Sequence, residues 1–212
     1  MLDARGTPTG RRKERGSVHR DGDWHAAVHV WVGRVVAGAP HVLFQRRSLT
    51  KDTWPGALDV AVGGHVRAGA VLLEAVREAR EEIGLVIGTG DLVRLGRRFA
   101  RGRSDNEVQE VYAVRSELPL GRYEQHPQEV DGLIEVPLEE ALALFEGRAA
   151  AVAGDLLRRG ATTPIPATFA LADFAAPGRD GYPARALQGL REVLAGREPV
   201  EWTWSVEGER RA

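Results

Sequence analysis

The sequence contains no cysteine, which excludes disulfides, thiolate metal ligands and a cysteine acid, base or nucleophile together. It also lacks an excess of either charge. With 29 Lys and Arg against 30 Asp and Glu the formal net charge is -1, and nothing in that balance asks for nucleic acid as an obligate partner. No uninterrupted apolar run approaches the ~18 residues of a membrane span, and the N-terminus is polar rather than signal-like. The expectation is a soluble, cytoplasmic protein without a membrane partner. Internal repeats and low-complexity segments are missing as well. What is present, 212 residues of which 43% are hydrophobic, suffices for one buried core with extensions rather than two full domains.

Residues 1–24, rich in Gly, Arg and Asp, read as an N-terminal arm or short hairpin, residues 25–196 as the folded body, and residues 197–212 as a C-terminal tail. From His25 the pattern alternates. Val28, Val30 and Val32 fall on one side and Ala27, His29 and Trp31 on the other, as in a strand buried on both faces. Gly38-Ala39-Pro40 marks a turn, His41 to Arg46 the returning strand, and Leu58 to Val62 a further short strand. More strands are expected at Leu92 to Phe99, Glu107 to Val114 and Gly132 to Val136. Two helices follow, Leu138 to Phe145 ending at Gly147 and Pro183 to Ala195 ending at Gly196. Residues 148–181 are ambiguous: Ala149 to Arg159 fits a helix, whereas Pro164 and Pro166 cannot continue one. Strands interspersed with helices predict an α/β protein with a mixed sheet covered on both faces.

The most distinctive stretch runs from Gly63 to Leu85. On a helical wheel at about 100° per residue, Leu72, Val76, Ala79 and Ile83 form an apolar stripe, with Glu74, Glu78, Glu81 and Glu82 opposite. Glu78 and Glu82 are one turn apart and repel by roughly a few tenths of a kcal/mol on an isolated helix; a divalent cation between them turns this into attraction. Oxygen ligands suit Mg²⁺ or Mn²⁺. The alternative is a solvated acidic face balanced by Arg77 and Arg80. Gly63, Gly64 and Gly69 permit a tight loop before the helix, with a carbonyl free to face a metal, and Gly84 follows as a C′ residue.

Loop, helix and acid together, through Arg77-Glu78-Ala79-Arg80-Glu81-Glu82-Ile83-Gly84-Leu85, resemble the Nudix box: Gly, five residues, Glu, seven residues, then Arg-Glu-apolar-any-Glu-Glu-any-Gly-apolar. The second half matches at every fixed position. In the first half, counting from Gly64 puts Ala70 where the family has Glu, and counting from Gly63 puts Gly69 there, so one box carboxylate is missing either way. The resemblance implies a Nudix-type α/β/α sandwich and a metal held by Glu78, Glu81 and Glu82 with the Gly64 carbonyl. Glu74 is a candidate substitute for the lost group, and reduced activity is the competing expectation.

A narrower resemblance, to the branch containing bacterial isopentenyl-diphosphate isomerases, is carried by residues 45–56, by Val62-Gly63-Gly64-His65, by Leu2 to Gly6 with Pro8-Thr9-Gly10, and by Asp105 to Val108. It implies a second metal site of His19, His25, His65, Asp105 and Glu107, a donor set that suits Mn²⁺ or Zn²⁺. It also implies a cysteine acid/base where this chain has Gly63. Glycine transfers no proton, so isomerisation is chemically unsupported and hydrolysis is the expected use of the scaffold. Arg47 and Lys51 are expected to bind phosphate, joined by Arg77; surface charge beside a turn is the other reading. Trp54-Pro55-Gly56 reads as a packed turn and Trp31 as a core residue.

The expected protein is therefore a pyrophosphohydrolase using Mg²⁺ or Mn²⁺ on a small-molecule diphosphate, nucleotide-derived or related. Glu107 or Glu110, on a strand expected to face the box, would orient water or act as base. A diphosphate-binding module without catalysis is the alternative, and a homodimer is compatible with either.

Overall fold

The computed structural model describes residues 1–67, 71–101, 106–175 and 181–205. In chain order its elements are α1 (Arg15–Asp21), β1 (Trp24–Val36), β2 (Ala39–Arg47), β3 (Leu58–Val60), β4 (Val62–His65) and α2 (Val71–Ile83), then β5 (Val93–Arg101), β6 (Asn106–Arg115), β7 (Val130–Pro137), α3 (Leu138–Phe145), β8 (Ala151–Arg158), β9 (Ile165–Ala170), α4 (Tyr182–Leu194) and β10 (Trp202–Ser205).

One mixed sheet runs in the order β10-β5-β6-β1-β2-β7-β8-β9, with β3 on β2 and β4 on β1. The β1/β6 and β5/β10 pairs are parallel and the other pairs antiparallel. The alternation read in β1 sets the layers. Val28, Val30 and Val32 pack with Val62, Ala75, Ala79 and Ile83 beneath α2. Trp31 packs on the opposite face with Phe44, Val111, Leu142, Leu187 and Leu190 beneath α3 and α4. Both faces are covered, so the architecture is the expected α/β/α sandwich.

Turn chemistry explains the joints. Ala37 and Gly38, at φ 49° and 84°, close the β1/β2 hairpin with two left-handed residues, a geometry that suits right-twisted strands. Gly84, Gly147 and Gly196, at φ 69°, 71° and 71°, end the three long helices where a side chain would be strained.

Two expectations are corrected. Ala149 to Arg159 is not helical: Ala151–Arg158 pairs with both β7 and β9. A sheet partner on each side satisfies the whole backbone, which outweighs the helix propensity of its alanines. Likewise, part of the expected C-terminal tail belongs to the sheet, because Trp202–Ser205 runs parallel to β5 and buries Trp202 in the core. The N-terminal arm contains α1, capped by the Glu14 carboxylate, which accepts from the N–H groups of Gly16 and Ser17.

Attachment of β10 depends on Gly96, which has φ 153° and lies so near β10 that a Cβ would overlap the Trp202 carbonyl. Gly96→Ala is expected to lower stability by about 2–3 kcal/mol and to release the segment after Gly196. Thermal unfolding together with limited proteolysis reads both effects; an unchanged melting curve would show that β10 is not a cooperative part of the sheet.

Candidate active site

The buried residues of α2 are Ala75, Ala79, Glu82 and Ile83. This corrects the helical wheel: Leu72 is 39% exposed, whereas Glu82, assigned above to the polar face, is 6% exposed. The helix sits rotated so that a carboxylate points into the sheet. Its Oε2 accepts from the Gly63 N–H at 3.1 Å and from Gln45 Nε2 at 3.3 Å. Burial pushes the Glu82 carboxyl up to about 8, the Gly63 hydrogen bond opposing and the charges of Glu78 and Glu129 adding.

Glu78 closes onto β4. A Cβ at Gly64 would lie 2.5 Å from Glu78 Cδ and 2.7 Å from its Oε1, so only glycine lets this carboxylate meet the strand backbone. Burial raises the Glu78 pKa, against the nearby Arg77 charge. Arg77 Nε donates to Glu74 at 2.8 Å, and the other guanidinium nitrogens bond Glu78 and Glu81. Its donors thus orient the acids of its own helix, in place of the substrate contact expected for Arg77. Gly69 and Ala70 lie outside the described residues.

A cation and another acid come from outside the helix. Lys51 pairs with Glu129, and both contribute to the field felt by Glu82. The segment carrying Glu129 is anchored by backbone bonds, His126 N–H to Glu82 O and Ser48 N–H to Glu129 O, each 2.8 Å. Sequence reasoning missed Glu129 because no motif marks it. Arg47 donates to the Thr53 carbonyl at 2.9 and 3.1 Å and pairs with Asp59 at 3.1 Å, so it braces the β2–β3 loop, and a phosphate would have to displace these partners. Trp54 is not packed: it is 62% exposed, at φ 50°.

The histidines converge on the other side of β4. His19 comes from α1, His25 lies beside Glu107 in the β1/β6 register, and His65 beside Ala27 in the β1/β4 register. One ligand atom from each of the three histidines lies within 4.8 Å of the others. Nitrogens around a metal at ~2.1 Å stand roughly 3–3.5 Å apart, so modest side-chain closure would form a ligand set. Glu107 Oε1 is 3.1 Å from His65 Nε2 and 3.7 Å from His25 Nε2. Burial pushes its carboxyl up, but the bonds to His25 and His65 prevail and hold it well below the usual range. Asp105 lies outside the described residues.

Glu107 therefore does not face the acidic helix, because strand periodicity puts it and His25 on the face opposite Val28 and Val30. Glu110 is tied to Arg94 and Arg97. The expectation that Glu107 faces the acidic helix is corrected accordingly, whereas Glu110, beside Val28 in the β1/β6 register, lies on the face beneath α2. β4 is the wall between the two constellations, with Gly64 toward Glu78 and Gly63 toward His29.

The NUDIX domain family model matches residues 25–159. The chain is 37% identical over 153 residues to Nudix hydrolase 3 of Arabidopsis thaliana, covering 66% of this chain and 19% of that protein. It is 32% identical over 119 residues to an isopentenyl-diphosphate Delta-isomerase of Escherichia coli, covering 54% of this chain and 64% of the isomerase. It thus spans less than two thirds of the length of each. A crystal structure of a Deinococcus radiodurans protein superposes with a TM-score of 0.52 at 27% identity, covering 69% of this chain and 86% of that one. The matched span holds β1, the glycine-backed acidic helix and the central strands of the sandwich, and by it the chain belongs to the NUDIX domain family.

Proposed function

We propose that the protein is a divalent-metal-dependent pyrophosphohydrolase that cleaves the diphosphate linkage of a nucleotide-derived or related small molecule. The observation that carries this reading is the closing of Glu78 onto Gly64 beside the buried Glu82. Burial raises the pKa of both carboxyls, and a cation beside them stabilises the charged forms. Glu78, Glu81 and Glu82, with the Gly64 carbonyl, would hold Mg²⁺ or Mn²⁺. Such an ion, when bound, neutralises diphosphate charge and makes a bound water more acidic.

The chain's own groups do the rest. Gly63 N–H and Gln45 orient Glu82, and Arg77 orients Glu74, Glu78 and Glu81. Lys51 meets the phosphoryl oxygens as a point charge. Glu129, released from Lys51 by the incoming anion, accepts the proton of the attacking water. His19, His25, His65 and Glu107 would hold a second ion, Mn²⁺ or Zn²⁺. Allylic isomerisation lacks its proton carrier, since Gly63 has no side chain. No helix among the described residues is long and apolar enough to cross a membrane; a cytoplasmic location and a small-molecule partner complete the proposal.

The test is a purified-protein screen of ADP-ribose, dinucleoside polyphosphates, reduced nicotinamide dinucleotide and isopentenyl diphosphate with Mg²⁺ or Mn²⁺, with products read by phosphorus NMR. Metal-dependent cleavage between two phosphoryl groups is expected. Conversion of isopentenyl to dimethylallyl diphosphate, or tight binding with no phosphorus product from any compound, would overturn the reading.

A further inference from the structure

A row of side chains stands behind Glu107. In the strand registers Arg98, Gln109, Ala27 and His65 follow one another across β5, β6, β1 and β4, and Glu107 shares the Gln109 face of β6. Gln109 is 5% exposed, and both ends of its amide are bonded. Arg98 Nη1 donates to Gln109 Oε1 at 3.0 Å, and Gln109 Nε2 donates to Glu107 Oε2 at 2.7 Å. A guanidinium only donates and an ionised carboxylate only accepts, so a single orientation of the amide satisfies both. The Glu107 carboxylate is thereby divided. Gln109 holds Oε2, and Oε1 is left toward the histidines, 3.1 Å from His65 Nε2 and 3.7 Å from His25 Nε2.

Arg98 is steadied in turn by the C-terminal helix. Its guanidinium lies over the Tyr182 ring, 4.4 Å from the centroid, within the range at which a cation is drawn to a ring face. Tyr182 is buried, and its hydroxyl is anchored on β1: Trp31 Nε1 donates to it at 3.0 Å and His29 Nδ1 lies 2.7 Å away. The ring cannot turn from beneath Arg98 without giving up these bonds. Tyr182 opens α4, which lies beyond residue 159, where the family match ends. An element outside the matched span therefore reaches the histidine cluster through two side chains, Arg98 and Gln109.

We propose that Gln109, Arg98 and Tyr182 are positioning residues of the histidine centre, acting in series to present one oxygen of Glu107, Oε1, to an ion held by His19, His25 and His65. This rests on the reading of that cluster as an ion site. The test uses the full chain freed of metal by chelator, with Zn²⁺ binding measured by calorimetry and Co²⁺ binding by visible spectroscopy. His65→Gln identifies which signal belongs to the histidines. A carboxylate released from Gln109 can offer both oxygens, which raises the coordination number and weakens the visible bands of Co²⁺; a loss of packing alone would not do this.

Gln109→Leu is expected to weaken Zn²⁺ binding by about ten- to a hundred-fold, the usual cost of losing a group that orients a metal ligand, and to weaken the Co²⁺ bands. Arg98→Met should move both in the same direction, and Arg98→Lys, which keeps a cationic donor, should recover part of the loss. Because the two act in series, the double variant should lose no more than Gln109→Leu alone. Tyr182→Leu should bind about two- to five-fold more weakly than Tyr182→Phe, which keeps the ring face. Wild-type affinity and Co²⁺ bands in Gln109→Leu and Arg98→Met overturn the assignment while leaving the ion site in place, and equal affinity of the two Tyr182 variants removes α4 from it. No wild-type Zn²⁺ signal that His65→Gln abolishes overturns the ion site and the assignment together. Should Gln109→Leu fail to fold, the partly exposed Arg98 and its two variants still decide.

Discussion

Glu82→Gln is expected to lower kcat of the metal-loaded enzyme by roughly 10²- to 10³-fold, and at the same time to stabilise the metal-free protein at neutral pH. Both effects come from one buried carboxyl. In the unfolded chain it titrates near ~4.3; in the folded, metal-free chain burial holds its proton up to about 8. Below the unfolded value both states are protonated and Glu82 costs nothing. As pH rises through the interval the unfolded state gives up its proton and the folded state does not, so folding is progressively disfavoured, and the penalty is complete above the folded value. Each unit of separation is worth about 1.4 kcal/mol, which makes the loss on the order of a few kcal/mol. Glutamine cannot ionise and should flatten this part of the curve. Thermal unfolding in chelator from acidic to mildly alkaline pH, beside kcat with Mg²⁺, measures both. Full activity in Glu82→Gln would remove this residue from the mechanism, and parallel stability curves would show that its proton is not held by the fold.

Gly64→Ala should separate catalysis from stability in the opposite direction. The new Cβ would meet Glu78 Cδ at 2.5 Å and Cγ at 2.6 Å, and these atoms belong to a flexible side chain that can swing away. The fold should therefore survive, with a melting temperature within a few degrees of wild type at about 1 kcal/mol or less. The carboxylate can no longer close on the strand, and the expected result is weaker Mg²⁺ binding and a fall in kcat/KM of about 10²-fold. Gly96 supplies the contrast, since its obstruction is a backbone carbonyl that cannot move and the loss there should appear as stability. Equal activity of Gly64→Ala and wild type would show that Glu78 acts elsewhere.

The sandwich is legible in the sequence because local rules govern most of it. Alternation in β1 announced two buried faces, and glycines at 84, 147 and 196 marked the helix ends through their backbone freedom. Reading failed where distant partners decide. The segment from Ala151 to Arg158 becomes a strand because β7 and β9 flank it, and Trp202 joins the core because Gly96 allows its backbone close. The acidic helix was found by pattern, but its rotation was not. A wheel built on apolar residues alone left Glu82 outside, and the N–H of Gly63 with Gln45 brings it in.

By itself, then, the sequence determined the fold class, the acidic motif and the exclusion of cysteine chemistry, all of which follow from residue type and short spacing. Only the tertiary structure decided what those residues face. It turned Glu107 to the histidines, tied Arg47 and Arg77 to partners of their own, brought Glu129 beside Lys51, and put His29 across from Gly63. These are long-range juxtapositions, set by strand register and helix rotation, and neither quantity is written in any local window of the chain.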